Sequence, residues 1–270
     1  MTLIVSEAIV LHAFDYLESS RIVRMVTRDA GMRSAIAKGA RKSRRRFGSG
    51  LDLFAQGTAY LHTKAGRELD ILSGFEDVRP RTDLGGDLER FTGAETIAEI
   101  ALFFGKDGAD AELFDAIAVA FDALAPTSAI EAREATLAGV WQIVAALGFN
   151  PAITECAECG TPLGEKDAAL FTHSAGGVLC KRCASLSPGG RKLPAAARDA
   201  IAGWMAGRHV ELSESAALAH QRLLREFLEY HLHDGRTLRA YDVWESGSYS
   251  RGAAERPPAE RTPAVDATVA

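Results

Sequence analysis

The sequence predicts an α+β protein: a small N-terminal β-barrel, then a helical domain with a cysteine-rich element set into it. Three observations carry this. Up to about Val78 apolar and polar residues alternate in short runs, the period of strands. From Asp83 to about Phe149 the period changes to 3.6, the spacing of one helix face. All four cysteines then fall into two matched pairs, Cys156-Ala-Glu-Cys159 and Cys180-Lys-Arg-Cys183, with twenty residues between them.

Five strands can be placed in the first eighty residues: Glu7 to Ala13, Ser20 to Thr27, Met32 to Lys38, Leu51 to His62 and Glu68 to Phe75, with turns at Asp29-Ala-Gly31 and Lys64-Ala-Gly66. Five short strands closing on themselves fit a barrel of the oligonucleotide-binding type or, less specifically, an SH3-like barrel. Three amphipathic helices follow. Their faces are Leu84, Leu88, Phe91, Ala94 and Ala98; Leu113, Ile117, Phe121 and Leu124; and Leu137, Val140, Trp141, Val144 and Leu147. Pro126-Thr-Ser128 separates the second from the third, and Gly148 with Pro151 ends the third. These stripes, Trp141 included, read as mutual core of a bundle. Beyond the cysteines, Leu186 to Gly190 is a loop, and helices are expected from about Ala195 to Ala206 and from Glu214 to His233. The expected organisation is a barrel over 1–80, a helical bundle over 81–150, the cysteine element over 151–190, the rest of the bundle over 191–244, and a disordered Ser-, Arg-, Ala- and Pro-rich tail over 245–270.

Two residues between paired cysteines let both sulfurs of a tight turn point at one ion, and two such turns complete a tetrahedron of thiolates around zinc. Cys156, Cys159, Cys180 and Cys183 are therefore expected to hold one structural Zn²⁺ in a ribbon or knuckle. Ala169 to His173 and Val178-Leu179 form its hairpin, with Ser174 to Gly177 as the turn. Four thiolates close every coordination position, so water activation is not expected. His173 lies inside the hairpin and could in principle replace a thiolate, but with four cysteines present it reads as a strand residue. Zinc deaminases place a His-x-Glu before their paired cysteines, whereas His209-Val-Glu211 comes after them here.

At 270 residues, 47% hydrophobic and 25% charged, the chain has the composition of a soluble globular protein with room for two or three domains. Its first residues carry no cation before the apolar stretch, and Glu7 interrupts that stretch, unlike a secretion signal. The longest apolar run, Leu137 to Phe149, is too short to span a bilayer. A cytoplasmic location follows as the expectation, one in which thiols stay reduced and available to metal.

The net charge of −5 hides an asymmetry. Residues 1 to 50 hold ten Lys and Arg against four Asp and Glu, a balance of +6, and the remainder, 21 against 32, carries −11. Six cations and no anion lie between Lys38 and Gly48: Lys38, Arg41, Lys42, Arg44, Arg45 and Arg46. A basic loop on a barrel is where a surface tracking a phosphate backbone would sit, so these six are the candidate DNA contacts. Phe47, beside them, is the one candidate for base stacking; Phe54 and Tyr60 suit the core better. Catalytic signatures are absent from the sequence. There is no P-loop, with Gly105-Lys106 lacking the upstream glycine and the following Ser or Thr, and neither Gly-x-Ser-x-Gly nor His-Glu-x-x-His occurs. A non-enzymatic protein without a nucleotide cofactor is expected.

The order of these parts resembles one family. Phe14-Asp-Tyr-Leu-Glu-Ser-Ser20, Thr27 to Gly31, Ala37-Lys-Gly-Ala-Arg41 and Phe47-Gly48 are similar to the opening of the bacterial RecO DNA repair family. Leu147-Gly148 leading through Pro151 into Cys156-x-x-Cys159-Gly160, with the second pair at Cys180 and Cys183, resembles its central domain and zinc element. The likeness covers roughly residues 1 to 240. Leu51-Asp-Leu-Phe54 departs from the family's usual Leu-Gln-Pro-Phe. The resemblance implies an oligonucleotide-binding (OB-type) barrel, a helical domain with an inserted four-cysteine zinc ribbon, and a recombination mediator of the RecF pathway. Such a protein is nucleoid-associated, binds single- and double-stranded DNA, anneals complementary strands, and works with RecR to load RecA onto DNA covered by single-strand-binding protein (SSB). The main rival reading is a zinc-ribbon module that binds proteins without touching DNA; a zinc-dependent hydrolase is third.

Overall fold

The structure is a computed structural model and describes residues 1–41, 47, 51–164, 167–187, 189–231 and 237–247. Strands β1 (Thr2–Tyr16), β2 (Ser20–Thr27), β3 (Gly31–Ala37), β4 (Gln56–Thr63) and β5 (Asp70–Arg79) close into a barrel in the order β1-β2-β3-β5-β4. One ladder, β3 to β5, is parallel. β1 is longer than its alternation suggests because it serves two neighbours. Its first half pairs with β4 and its second with β2, and a bulge between Val10 and His12 turns the strand from one to the other. β4 begins five residues later than predicted. Leu51 to Phe54 form turns instead, because Leu51 and Phe54 each bury their side chain, Leu51 in the barrel and Phe54, at φ 67°, on the helical side.

A 3-10 turn (Thr82–Gly85) leads into α1 (Leu88–Phe104), α2 (Ala111–Leu124) and α3 (Ala129–Ala146). Each helix starts at a polar cap. Asp87 accepts from the amides of Glu89 and Arg90, Asp110 accepts from that of Leu113, and Ser128 forms a reciprocal capping box with Glu131. The predicted faces of α2 and α3 are buried, Trp141 among them, except for a half-buried Leu147. On α1, Ala94 and Ala98 are buried while Leu88, the first helical residue, is exposed beside the barrel. Downstream lie β6 (Ala169–Thr172), β7 (Gly177–Leu179), a four-residue helix α4 (Lys181–Ala184), β8 (Arg191–Leu193), α5 (Ala195–Met205), α6 (Glu214–His231) and α7 (Arg239–Ser246). β8 and α7 are not among the predicted elements. β8 adds to the hairpin to make a sheet β7-β6-β8, and α7 starts on the Glu99 carboxylate, which accepts from the amides of Ala240 and Tyr241. α7 runs to Ser246, two residues into the segment expected to be disordered, and Gly247 ends it at φ 52°; residues 248–270 lie outside the described residues. Among the described residues no helix is long and apolar enough to cross a membrane.

One continuous core joins barrel, bundle and cysteine element, running from Ile9, Leu11, Val26 and Phe54 through the helices to Phe171, Val178 and Leu193. A second, smaller core fills the barrel. At the seam Phe54 packs against Phe91 and Phe121, with ring centroids 6.2 and 5.1 Å away. Arg81, its side chain 2% exposed, donates to the Phe54 carbonyl (2.9 Å), to Gln56 (2.7 Å) and to Asp122 on α2 (2.9 Å). Burial works against its charge, and Asp122 works for it. Arg28, after β2, makes a second link, a bidentate pair with Asp115 on α2 over the ring of Phe114. Gly31 makes the third. At φ 69° it bridges to Asp107 in the loop before α2, and a Cβ there would lie 2.0 Å from the Gly108 carbonyl.

Replacing Arg81 leaves the Phe54 carbonyl and Gln56 without their donor. Arg81→Met is expected to lower unfolding free energy by about 3 kcal/mol. Arg79→Met, which removes a 62% exposed cation from the same Asp122, should stay within about 0.5 kcal/mol of the parent. Urea titrations of both variants test this; equal midpoints would show that the seam does not depend on the buried guanidinium.

Candidate nucleic-acid interface and metal centre

The two cysteine turns meet in space. The ligand atoms of Cys156, Cys159, Cys180 and Cys183 all lie within 4.8 Å of one another, and Cys159 Sγ is 3.8 Å from Cys180 Sγ. A tetrahedron with Zn–S bonds of about 2.3 Å has edges of about 3.8 Å, so the spacing suits zinc. The first turn is built by Gly160, at φ 67°, whose amide donates to the Cys156 carbonyl, while the Cys156 amide donates to the Thr161 carbonyl. This amide arrangement turns both sulfurs to one side. The second turn places Cys180 at the N-cap of α4, and the Ala157 amide donates to the Val178 carbonyl, fastening the two turns together.

The electrostatics favour the thiolate at Cys159 and Cys156 and oppose it at Cys183. Thr161, through its hydroxyl and its amide, draws the Cys159 thiol down to about 6. At Cys156, burial pushes the thiol up, but amides of Cys180, Cys159 and Glu158 outweigh it and the net direction is downward. Cys183 is pushed up to about 12, first by Cys159 beside it. A metal ion would deprotonate each coordinating thiol, and Arg182, which contacts Cys159 and Cys183, would offset part of the remaining negative charge. His173 is not part of the cluster. It stacks on Tyr230, meets Phe171 and Phe227, and its Nε2 is 3.5 Å from Glu226.

The element is fixed to the bundle through its sheet. Phe171, fully buried, packs against Phe227, which in turn meets Trp141. Arg191 on β8 pairs with Glu226 of α6, and Arg198 of α5 donates to the Gly164 carbonyl at 2.7 Å. Elemental analysis of purified protein is expected to find about one zinc per chain. Cys156→Ser should release it and destabilise the bundle as well as the ribbon, lowering Tm by about 4–8 °C for each 2 kcal/mol lost. A metal-free parent protein with an unchanged Tm would remove the assignment.

The predicted DNA contacts are only partly described. Lys38 and Arg41 are exposed at the end of β3; Lys42, Arg44, Arg45 and Arg46 lie outside the described residues. Arg41 is tied to the turn between β1 and β2. Its amide donates to the Ser19 carbonyl (3.1 Å), and its guanidinium donates to the Glu18 carbonyl (3.3 Å) and lies 3.5 Å from Asp15. Arg21 pairs with Asp15 (3.3 Å) and donates to the Leu51 carbonyl (3.1 Å), so the same barrel end receives both flanks of the basic run. The expectation of a stacking role for Phe47 needs correction. It is 2% exposed in the barrel core, where its neighbours include Leu51, because an apolar side chain beside a run of cations gains most by plugging the barrel end. Exposed aromatics lie elsewhere, at Phe14 and Tyr16, and strand alternation past the β1 bulge could have found them.

Comparison with known proteins agrees with these parts. Residues 1–81 match the family model described as "Recombination protein O N terminal", and residues 85–240 match "Recombination protein O C terminal". A protein named DNA repair protein RecO from Anaeromyxobacter sp. (strain K) is 37% identical over 241 residues, covering 86% of this chain and 92% of the relative. A namesake from Anaeromyxobacter sp. (strain Fw109-5) is 34% identical over 239 residues, with 86% and 91% covered. One from Rubrobacter xylanophilus is 33% identical over 188 residues, with 70% and 74% covered. With the two family models together filling most of the chain from residue 1 to 240, and the five-stranded sheet, helices and cysteine cluster in place, this chain belongs to the RecO family of DNA repair proteins.

Proposed function

We propose that this chain is a recombination mediator that binds single- and double-stranded DNA and anneals complementary strands. Together with RecR it helps load RecA onto SSB-coated DNA. The observation that carries the reading is the placement of charge: the basic run starts at Lys38, is bonded to the barrel end at Arg41, and is followed by Phe47 in the barrel core. The first fifty residues carry +6 against −11 elsewhere. A polyanion is attracted to that module and repelled by the rest. Lys38, Arg41, Lys42, Arg44, Arg45 and Arg46 make the phosphate contacts.

The protein acts without catalysis. The sequence has no P-loop, so annealing takes its free energy from base pairing, and the protein screens phosphate repulsion and holds strands together. The zinc element contributes rigidity. Replacing Arg44, Arg45 and Arg46 with alanine is expected to weaken DNA binding and reduce the slope of log K against log salt by up to about 3 while leaving Tm unchanged. Titration of labelled DNA across salt concentrations measures both. Unchanged affinity at every salt concentration would shift the reading to a protein-binding zinc module.

A further inference from the structure

Past the bulge at Val10 to His12, β1 runs out into solvent: Ala13 is half-buried, and Phe14, Asp15 and Tyr16 are all exposed. Ala13 packs against the barrel core, while His12, Phe14 and Tyr16 point outward and are exposed. Phe14 and Tyr16 are each 42% exposed, and the His12 and Phe14 rings lie 5.6 Å apart. Leu17, at φ 51° in the turn, is 75% exposed. The row continues across the sheet: Phe14 is directly opposite Ile22, Ile22 opposite Ile36, and Ile36 opposite Ile71. All three isoleucines are half-buried, and none belongs to either core. Rings on an apolar floor are thus left open to solvent at the barrel end to which Arg41 is bonded.

We propose that Phe14 and Tyr16 are a base-stacking platform for single-stranded DNA, an inference that rests on reading the chain as a DNA-binding protein. Two features select this occupant. Arg41 is bonded to Glu18 and Ser19, two and three residues beyond Tyr16, and Arg24 is exposed opposite His12, so cations flank the rings on both sides. The one carboxylate between the rings, Asp15, is already paired with Arg21 and Arg41. Rings interleaved with cations match a strand whose phosphates are charged and whose bases present flat π-faces. A duplex keeps those faces stacked inside, so the platform adds affinity for single strands only. Alternate residues on a strand are about 6.7 Å apart, which lets neighbouring rings serve neighbouring bases.

The test is equilibrium binding of the full chain to a fluorescein-labelled oligothymidylate and to a duplex of equal length. Phe14→Leu and Tyr16→Leu, both at exposed positions, should keep the parent's Tm. Each should weaken single-strand binding about tenfold, hold duplex affinity within about twofold, and leave the salt slope of single-strand binding unchanged, because no phosphate contact is lost. Tyr16→Trp should restore single-strand affinity, which a merely apolar contact would not require. Leucine variants that bind the single strand like the parent, or that lose single-strand and duplex binding equally, would overturn the platform alone. A parent protein with no salt-sensitive binding to either DNA would overturn the DNA-binding reading beneath it.

Discussion

The architecture depends on one buried charge at the seam between barrel and bundle. Arg81 cannot lose its proton, so its burial is stable only while Phe54, Gln56 and Asp122 all accept from it. Those acceptors come from three places: the turn before β4, the first residue of β4, and α2. The guanidinium is thus satisfied only when the barrel is closed and the bundle is docked. The same geometry explains the left-handed backbone at Phe54. Turning that residue outward lets its carbonyl meet Arg81 while its ring enters the cluster with Phe91 and Phe121. Burial of such a ring contributes about 1.5–3 kcal/mol, enough to offset the cost of the unusual φ.

The cysteine element extends this logic to the far side of the bundle. A sheet of strands with four, three and three residues cannot bury a core of its own. It borrows one: Phe171 and Val178 belong to the bundle's core, and the two cysteine turns, fastened to each other by the Ala157 amide on the Val178 carbonyl, meet beside the hairpin. The sequence pattern Cys-x-x-Cys therefore marks a joint as much as a candidate ligand set, and an ion held by the four thiolates would serve packing.

Much of this was legible in the sequence where one physical rule dominates locally. Ser20 to Thr27 is a strand at the predicted bounds because its β-branched residues run between two turn signals, and the faces of α2 and α3 follow from 3.6 spacing. The cysteine spacing leads directly to the cluster. Legibility fails where a residue answers to a distant partner. Leu51 to Phe54 reads as strand, but its two large side chains serve two different cores. Arg81 sits in a Pro-containing linker with nothing local to mark it as buried. β8 is three residues long and exists only as an edge on β6, and α7 depends on a carboxylate more than a hundred residues upstream. Phe47 misleads because its neighbours in sequence are cations while its neighbours in space are apolar.

The docking also decides where positive charge remains available. Arginines that face the bundle are matched there: Arg28 by Asp115 and Glu7, Arg79 and Arg81 by Asp122. Arg28 follows the last residue of β2, whereas Arg41 is bonded to the turn before its first. An eight-residue strand puts these two ends about 25 Å apart, more than two Debye lengths at physiological salt. Neutralisation at one end therefore leaves the potential at the other almost untouched. The acidic residues of the helical half dock the barrel and cancel its cations on that side. At the other end Arg21 and Arg41 share Asp15, with Asp52 3.7 Å from Arg21, and the exposed Lys38 adds a cation, so the barrel keeps a basic end. That polarity, more than the total charge, is what a phosphate backbone can recognise.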